Sequence, residues 1–120
     1  MSKTKLNDTC QVRCFNPDLV TEIRETLPEE NILEEASIIF GILADRSRIK
    51  IIYALKNVEE LCVCDIASML NVTIATASHH LRKMRDLKLL KYRNDGKLAY
   101  YSLKDRRIAD ILSYSLKELI

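Results

Sequence analysis

The run Cys64-Asp-Ile-Ala-Ser-Met-Leu70, Asn71-Val72, Thr73-Ile-Ala-Thr-Ala-Ser-His-His-Leu-Arg-Lys-Met-Arg-Asp-Leu87 decides the fold. Two helical patterns meet at a link of two residues, too short for anything but a sharp corner. Asn tolerates the left-handed backbone such a corner demands. Thr73 stands where it can cap the second helix, whose apolar positions Ile74, Ala77, Leu81 and Met84 recur at steps of three and four. A helix over 64–70, a tight corner and a longer helix over 73–87 make the sequence form of a helix-turn-helix.

Downstream, Leu89-Leu-Lys-Tyr-Arg93 and Lys97-Leu-Ala-Tyr-Tyr-Ser-Leu103 flank Asn94-Asp95-Gly96. Two β-prone runs about an Asp-Gly turn predict a hairpin, and a hairpin directly after a helix-turn-helix is a wing. The chain then closes with a helix from about Asp105, with Ile108, Ile111, Leu112, Ser115 and Leu119 along one side. Too little of the domain remains to cover that stripe, so it is expected to meet a second subunit.

Upstream, Asn16-Pro17 predicts a helix start, running to about Leu27, and Pro28-Glu29-Glu30 opens another. Ile32, Leu33, Ala36, Ile39, Phe40 and Leu43 give that helix a broad apolar stripe, read as largely buried. A further buried helix, punctuated by Asp45 and Ser47, carries Ile49, Ile51, Ile52, Ala54 and Leu55 and ends near Lys56-Asn57. Residues 1–15 lack periodicity and are read as a mobile arm or a short helical turn, leaving 16–120 as one winged-helix DNA-binding and dimerisation domain. The fold class is mainly α with a β-hairpin wing, a winged helix-turn-helix homodimer.

Composition agrees. The chain has 120 residues, 48% apolar and only 6% aromatic, enough for one modest helical core and no second domain. No run approaches the ~20 apolar residues of a membrane span, and Met1 to Asp8 lacks the apolar core of a secretory signal, so the expected location is the cytoplasm. The net charge of +2 conceals an asymmetry: residues 82–107 carry ten Lys or Arg against three acids, whereas residues 16–35 carry seven acids against Arg24 alone. A basic half on a nearly neutral chain suits a polyanionic partner.

A helix in the major groove needs short polar side chains near its start and cations further along. The second helix offers Thr73, Thr76, Ser78 and His79, then Arg82 and Lys83, while Arg93 and Lys97 flank the hairpin tip. These eight are the candidate operator-binding residues. Neighbours in a helix point about 100° apart, so His79 lies beside the polar face and His80 is read as a packed structural histidine.

The four cysteines fall in two close pairs, Cys10/Cys14 and Cys62/Cys64. In a reducing compartment such pairs indicate metal or redox chemistry rather than a disulfide framework. Cys10 and Cys14 share one face if the arm is helical. Cys62 and Cys64, two apart, would diverge by about 200° inside a regular helix, so they can grip one ion only at a helix start, where the N-terminus also favours the thiolate. An ion there would bear directly on the first helix of the helix-turn-helix. All-sulfur ligation selects soft ions such as Cd(II), Pb(II), Cu(I) or Zn(II) over Mg(II) or Ca(II).

Glu60-Leu-Cys-Val-Cys-Asp65, the run Asn71 to Leu81 and the Asp95-Gly96-Lys97 wing together resemble the ArsR/SmtB family of metal-sensing winged-helix repressors, and within it the CadC-type cadmium/lead repressors. The resemblance extends over essentially the whole chain. It implies a homodimer on a partly palindromic operator that represses a metal-efflux operon. It also implies a sensor site in which Cys62 and Cys64 are joined by Cys10 and Cys14 of the other subunit, with Cd(II), Pb(II) or Zn(II) as inducer. Some relatives carry a second zinc site on the last helix, built from Asp-x-His and His-x-x-Glu. Here the first pair reads Asp105-Arg106-Arg107, Glu118 replaces the next His, and the chain stops at Ile120, so no C-terminal zinc site is expected.

The expected mechanism couples two ligands, metal and operator, each weakening the other. The alternative is a thiol-redox-sensing winged-helix repressor. A cysteine enzyme using Cys62 or Cys64 with His79 or His80 lacks any third orienting group or oxyanion cradle. A metal store without DNA binding leaves the basic helix and wing unexplained.

Overall fold

Asn71 makes the corner, at φ 57° and ψ 49°, and its N–H closes on the carbonyls of Ala67 and Ser68. Before it lies α4 (Val63–Leu70) and after it α5 (Ile74–Asp86), whose start is capped by the Thr73 hydroxyl accepting from the Thr76 N–H at 3.1 Å. The computed structural model describes residues 8–119, and the segment 1–7 of the expected arm lies outside them.

The chain divides into two compact units, Met1–Leu33 and Glu34–Ile120. In the first, residues 8–15 form bends rather than helix, and α1 (Pro17–Thr26) begins as expected, with Asn16 accepting from the Leu19 N–H and Pro at the first helical turn. From the second unit's side, α2 (Glu30–Leu43) sends Ile39, Ile42 and Leu43 onto the core. The expectation that α2 is largely buried is wrong. It contains no buried residue, and Phe40 remains 60% exposed.

The second unit's core joins Ile51, Ile52 and Leu55 of α3 (Arg46–Asn57), Ile66 and Ala67 of α4, and Ala77, Leu81 and Met84 of α5. Leu89, Leu90, Tyr101, Leu103 and Ala109 complete it. Each fully buried Ile, Leu or Met gains about 1.5–3 kcal/mol over an exposed one. That burial, more than helix propensity, holds α5 in place.

The wing is β2 (Leu90–Asp95) paired antiparallel with β3 (Leu98–Leu103). Its register places Asp95 opposite Leu98, so the two loop residues are Gly96 and Lys97, one step later than the Asp-Gly reading. Gly96 takes φ 61° while Lys97 does not turn positive, which suits a type II′ loop with Gly first. A strand the sequence did not reveal, β1 (Leu61–Cys62), adds to β3 to give the order β1-β3-β2. Helix α6 (Arg107–Leu119) starts two residues later than expected because Asp105 folds outside it, accepting from the Arg107 backbone N–H at 2.9 Å. The same Asp105 pairs with the Arg107 guanidinium, and hydrogen bonds from Arg107 lower its carboxyl to about 2. No helix among the described residues is long and apolar enough to cross a membrane.

Candidate nucleic-acid and thiolate sites

On α5, Ala77, Leu81 and Met84 are buried, and the opposite face is left to solvent. Thr76, His79, Arg82 and Lys83 are exposed there, and Ser78 is half-buried beside them. Steps of three and four from Thr76 to His79 to Lys83 align them along one side. Thr73 is also exposed, but its oxygen is engaged: besides capping, Oγ1 lies 2.9 Å from the Thr76 hydroxyl. Lys97 stands exposed in the loop at the wing tip.

The wing's Arg93 is differently placed. Its guanidinium grips both oxygens of Glu60, with Nε donating at 3.0 Å, and lies 4.6 Å from the centre of the Tyr100 ring. The hydrogen bond from Arg93 holds the Glu60 carboxyl below its ordinary range. Sequence reasoning missed this partner, which is 33 positions away. Arg85 rests over Tyr92, 5.2 Å from the ring centre, and so braces α5 against the wing.

His80 is half-buried and structural, as its position suggested. Its Nδ1 accepts from Arg48 Nε at 2.9 Å, and Arg48 also donates to the Ile42 carbonyl, tying α5 to α3 and to the end of α2. Burial, and then the charge of Arg48, lower the His80 pKa, so the ring stays neutral as this hydrogen bond requires. Arg48 is in turn fixed at the first turn of α3, where Asp45 caps the helix by accepting from the Ser47 and Arg48 N–H groups. Nothing local in the sequence singles out Arg48.

Cys62 is the N-cap of α4 with extended backbone, φ −78° and ψ 161°, and Cys64 is the second helical residue. This is the helix-start position that their spacing required. Asp65 accepts from the Cys62 backbone N–H at 3.3 Å and fixes the entry of the chain into α4. Cys62 is half-buried and Cys64 exposed. In the other unit, Cys10 and Cys14 are both exposed, with their sulfurs 3.6 Å apart although the arm is not helical. Within either unit, no group of three His, Cys, Asp or Glu among the described residues forms a metal cluster.

Residues 45–92, from the α3 cap to the first wing strand, match the bacterial regulatory protein, arsR family. A cadmium resistance transcriptional regulatory protein CadC homolog of Staphylococcus aureus is 41% identical over 105 residues, spanning 88% of this chain and 86% of that protein. The chain belongs to the ArsR/SmtB family. A transcriptional repressor SmtB homolog of Synechocystis sp. is 36% identical over 121 residues, covering 92% of this chain and 91% of its own length. Among solved structures, the AntR antimony-specific transcriptional repressor superposes with a TM-score of 0.70 at 21% identity, covering 98% of this chain and 95% of that one. As an ArsR/SmtB member the chain is a DNA-binding transcription regulator of winged-helix fold and not an enzyme.

Proposed function

We propose that this protein is a cytoplasmic repressor that binds operator DNA as a homodimer and releases it when Cd(II), Pb(II) or Zn(II) is captured by Cys10, Cys14, Cys62 and Cys64, so that a metal-efflux operon is expressed. The observation that carries the reading is the placement of Cys62 and Cys64 at the start of α4, the first helix of the DNA-reading unit. Residues 1–15 act as an arm donating two thiolates to the other subunit, and 16–120 form the winged-helix and dimer domain.

The donor set fits a soft ion. Tetrahedral thiolates about 2.3 Å from zinc stand about 3.8 Å from one another. The Cys10 and Cys14 sulfurs, 3.6 Å apart, already have nearly that spacing, which supports Cys14 as a ligand alongside Cys10. Four thiolates exclude hard oxygen-seeking cations and hold a thiophilic one. On the DNA side, α5 presents Thr76, Ser78 and His79 to base edges with Arg82 and Lys83 to phosphates, Thr73 orders the helix start, and Lys97 and Arg93 serve the wing. The homodimer accounts for the exposed apolar stripes of α2 and α6, where Phe40 and Ile111 are 60% and 53% exposed.

A metal-bound α4 start favours a conformation whose two recognition helices fit the operator poorly. The test is fluorescence anisotropy of a labelled fragment from the protein's own promoter, with and without Cd(II), for the parent and for Cys10→Ser, Cys14→Ser, Cys62→Ser and Cys64→Ser. Metal-driven release is expected in the parent and is lost in Cys62→Ser and Cys64→Ser; equal release from all five proteins contradicts the assignment. The short Cys10–Cys14 approach also suits a second reading, disulfide formation by a hydroperoxide, which predicts no response to metal in reduced, oxygen-free buffer.

A further inference from the structure

Cys62, Tyr100 and Arg93 stand in one row across the sheet. Cys62 on β1 is directly opposite Tyr100 on β3, and Tyr100 is directly opposite Arg93 on β2. Directly opposed residues of antiparallel strands project to the same face, so thiol, phenol ring and guanidinium share the outer face of the sheet. The inner face carries Leu90, Tyr101 and Leu103 into the core. Glu60, two residues before Cys62, reaches across the row to take Arg93 with both oxygens, and Arg93 lies over the Tyr100 ring.

β1 is only two residues long, and on backbone pairing alone it would be a weak tether between the α4 start and the wing. The Glu60–Arg93 pair, stacked on Tyr100, is a second tether in parallel with it. Bidentate guanidinium–carboxylate geometry resists both stretch and twist, unlike a single flexible ion pair. Beyond Arg93 the wing continues through the Asn94–Ala99 and Asp95–Leu98 pairs to Lys97 at the tip.

We propose that Glu60 and Tyr100 are positioning residues that transmit occupancy of the Cys62 thiolate to the wing, through Arg93. Movement of Cys62 toward an ion pulls on Tyr100 through the ladder and on Arg93 through Glu60, and so re-aims the wing tip relative to α5. Without the clamp, the α4 start can move while the wing stays on its phosphates. The inference rests on the metal-responsive reading above and names the route of its coupling.

The experiment measures the metal–operator coupling factor, the ratio of operator Kd with and without saturating Cd(II), for the parent, Glu60→Ala and Tyr100→Leu. The reciprocal arm measures Cd(II) affinity of free and operator-bound protein by thiolate-to-metal absorbance. Far-UV circular dichroism and a urea midpoint accompany each variant, because a variant that merely loosens the fold shifts the midpoint, whereas the two arms agree for any protein at equilibrium. Allosteric couplings of this kind are about 5–150-fold. Both variants are expected to bind the parent's complement of metal while their coupling factor falls from the parent's value to about 1 in both arms. Parent-like coupling in both well-folded variants overturns the proposed relay and leaves the metal-responsive reading standing. A parent with no coupling overturns both.

Discussion

Leu81 and Arg82 are neighbours on α5 with opposite surroundings, and their replacement by Ala should separate stability from DNA binding. Leu81 has no exposed surface and sits in the cluster formed by α3, α4, α5 and the sheet, whereas Arg82 is exposed on the face proposed to meet the operator. Truncating a fully buried Leu forfeits its transfer free energy and leaves a cavity, at a cost of about 3–5 kcal/mol. A chain of 120 residues has roughly 6–18 kcal/mol of stability, so Leu81→Ala should remain folded at room temperature. Its melting temperature should fall by about 10 °C or more. Once folded, it keeps the whole exposed face of α5 and should bind the operator nearly as the parent does. Arg82→Ala should change the unfolding free energy by no more than about 0.5 kcal/mol. It should weaken operator binding and flatten the dependence of log K on log salt by about 0.9 for each phosphate that is no longer neutralised. Urea unfolding and anisotropy titrations at several salt concentrations measure both. A stability loss from Arg82→Ala with an unchanged salt slope, or an operator defect confined to Leu81→Ala, refutes the assignment of the two faces.

Two further outcomes concern the supports of α5 and the wing. Gly96→Val places a β-branched side chain at φ 61° and should cost the wing about 1–2 kcal/mol, visible as faster hydrogen exchange of β2 and β3 amides and weaker operator binding; unchanged exchange contradicts the loop geometry. His80 has a folded-state pKa below its ordinary 6.5, so as pH falls below that value the unfolded chain takes up a proton that the folded chain resists. Its contribution is therefore complete above about pH 6.5 and is lost progressively below it, toward the lowered value. The urea midpoint should decline as pH falls below about 6.5, and His80→Gln should flatten that decline; equal slopes for the parent and His80→Gln contradict the Arg48–His80 link.

The parts that were legible in the sequence are those encoded by neighbours. Asn71 revealed the corner because few residues accept its backbone, and the steps of Ala77, Leu81 and Met84 revealed which face of α5 is buried. The position of Cys62 and Cys64 at a helix start followed from the helical angle together with the expectation that the two share one ion. What was not legible depends on partners remote in the chain. β1 is two residues long, below any periodic signal, and exists because β3 offers it an edge. The Arg48–His80 and Arg93–Glu60 bonds span 32 and 33 residues and leave no local trace. The stripe of α2 was misread as buried because periodicity reports that a face is apolar and says nothing of which chain covers it. The hairpin loop fell one residue later than the Asp-Gly pair suggested, since the register of β2 and β3 is set by which residues face the core.

The most direct test loads Cd(II) stepwise onto fully reduced, operator-bound protein in oxygen-free buffer, reading thiolate-to-metal absorbance and operator anisotropy in the same cuvette. The account predicts that the two signals reach their end points together, with the DNA released as the sulfurs fill. Saturation of the sulfur signal while the operator stays bound would contradict it.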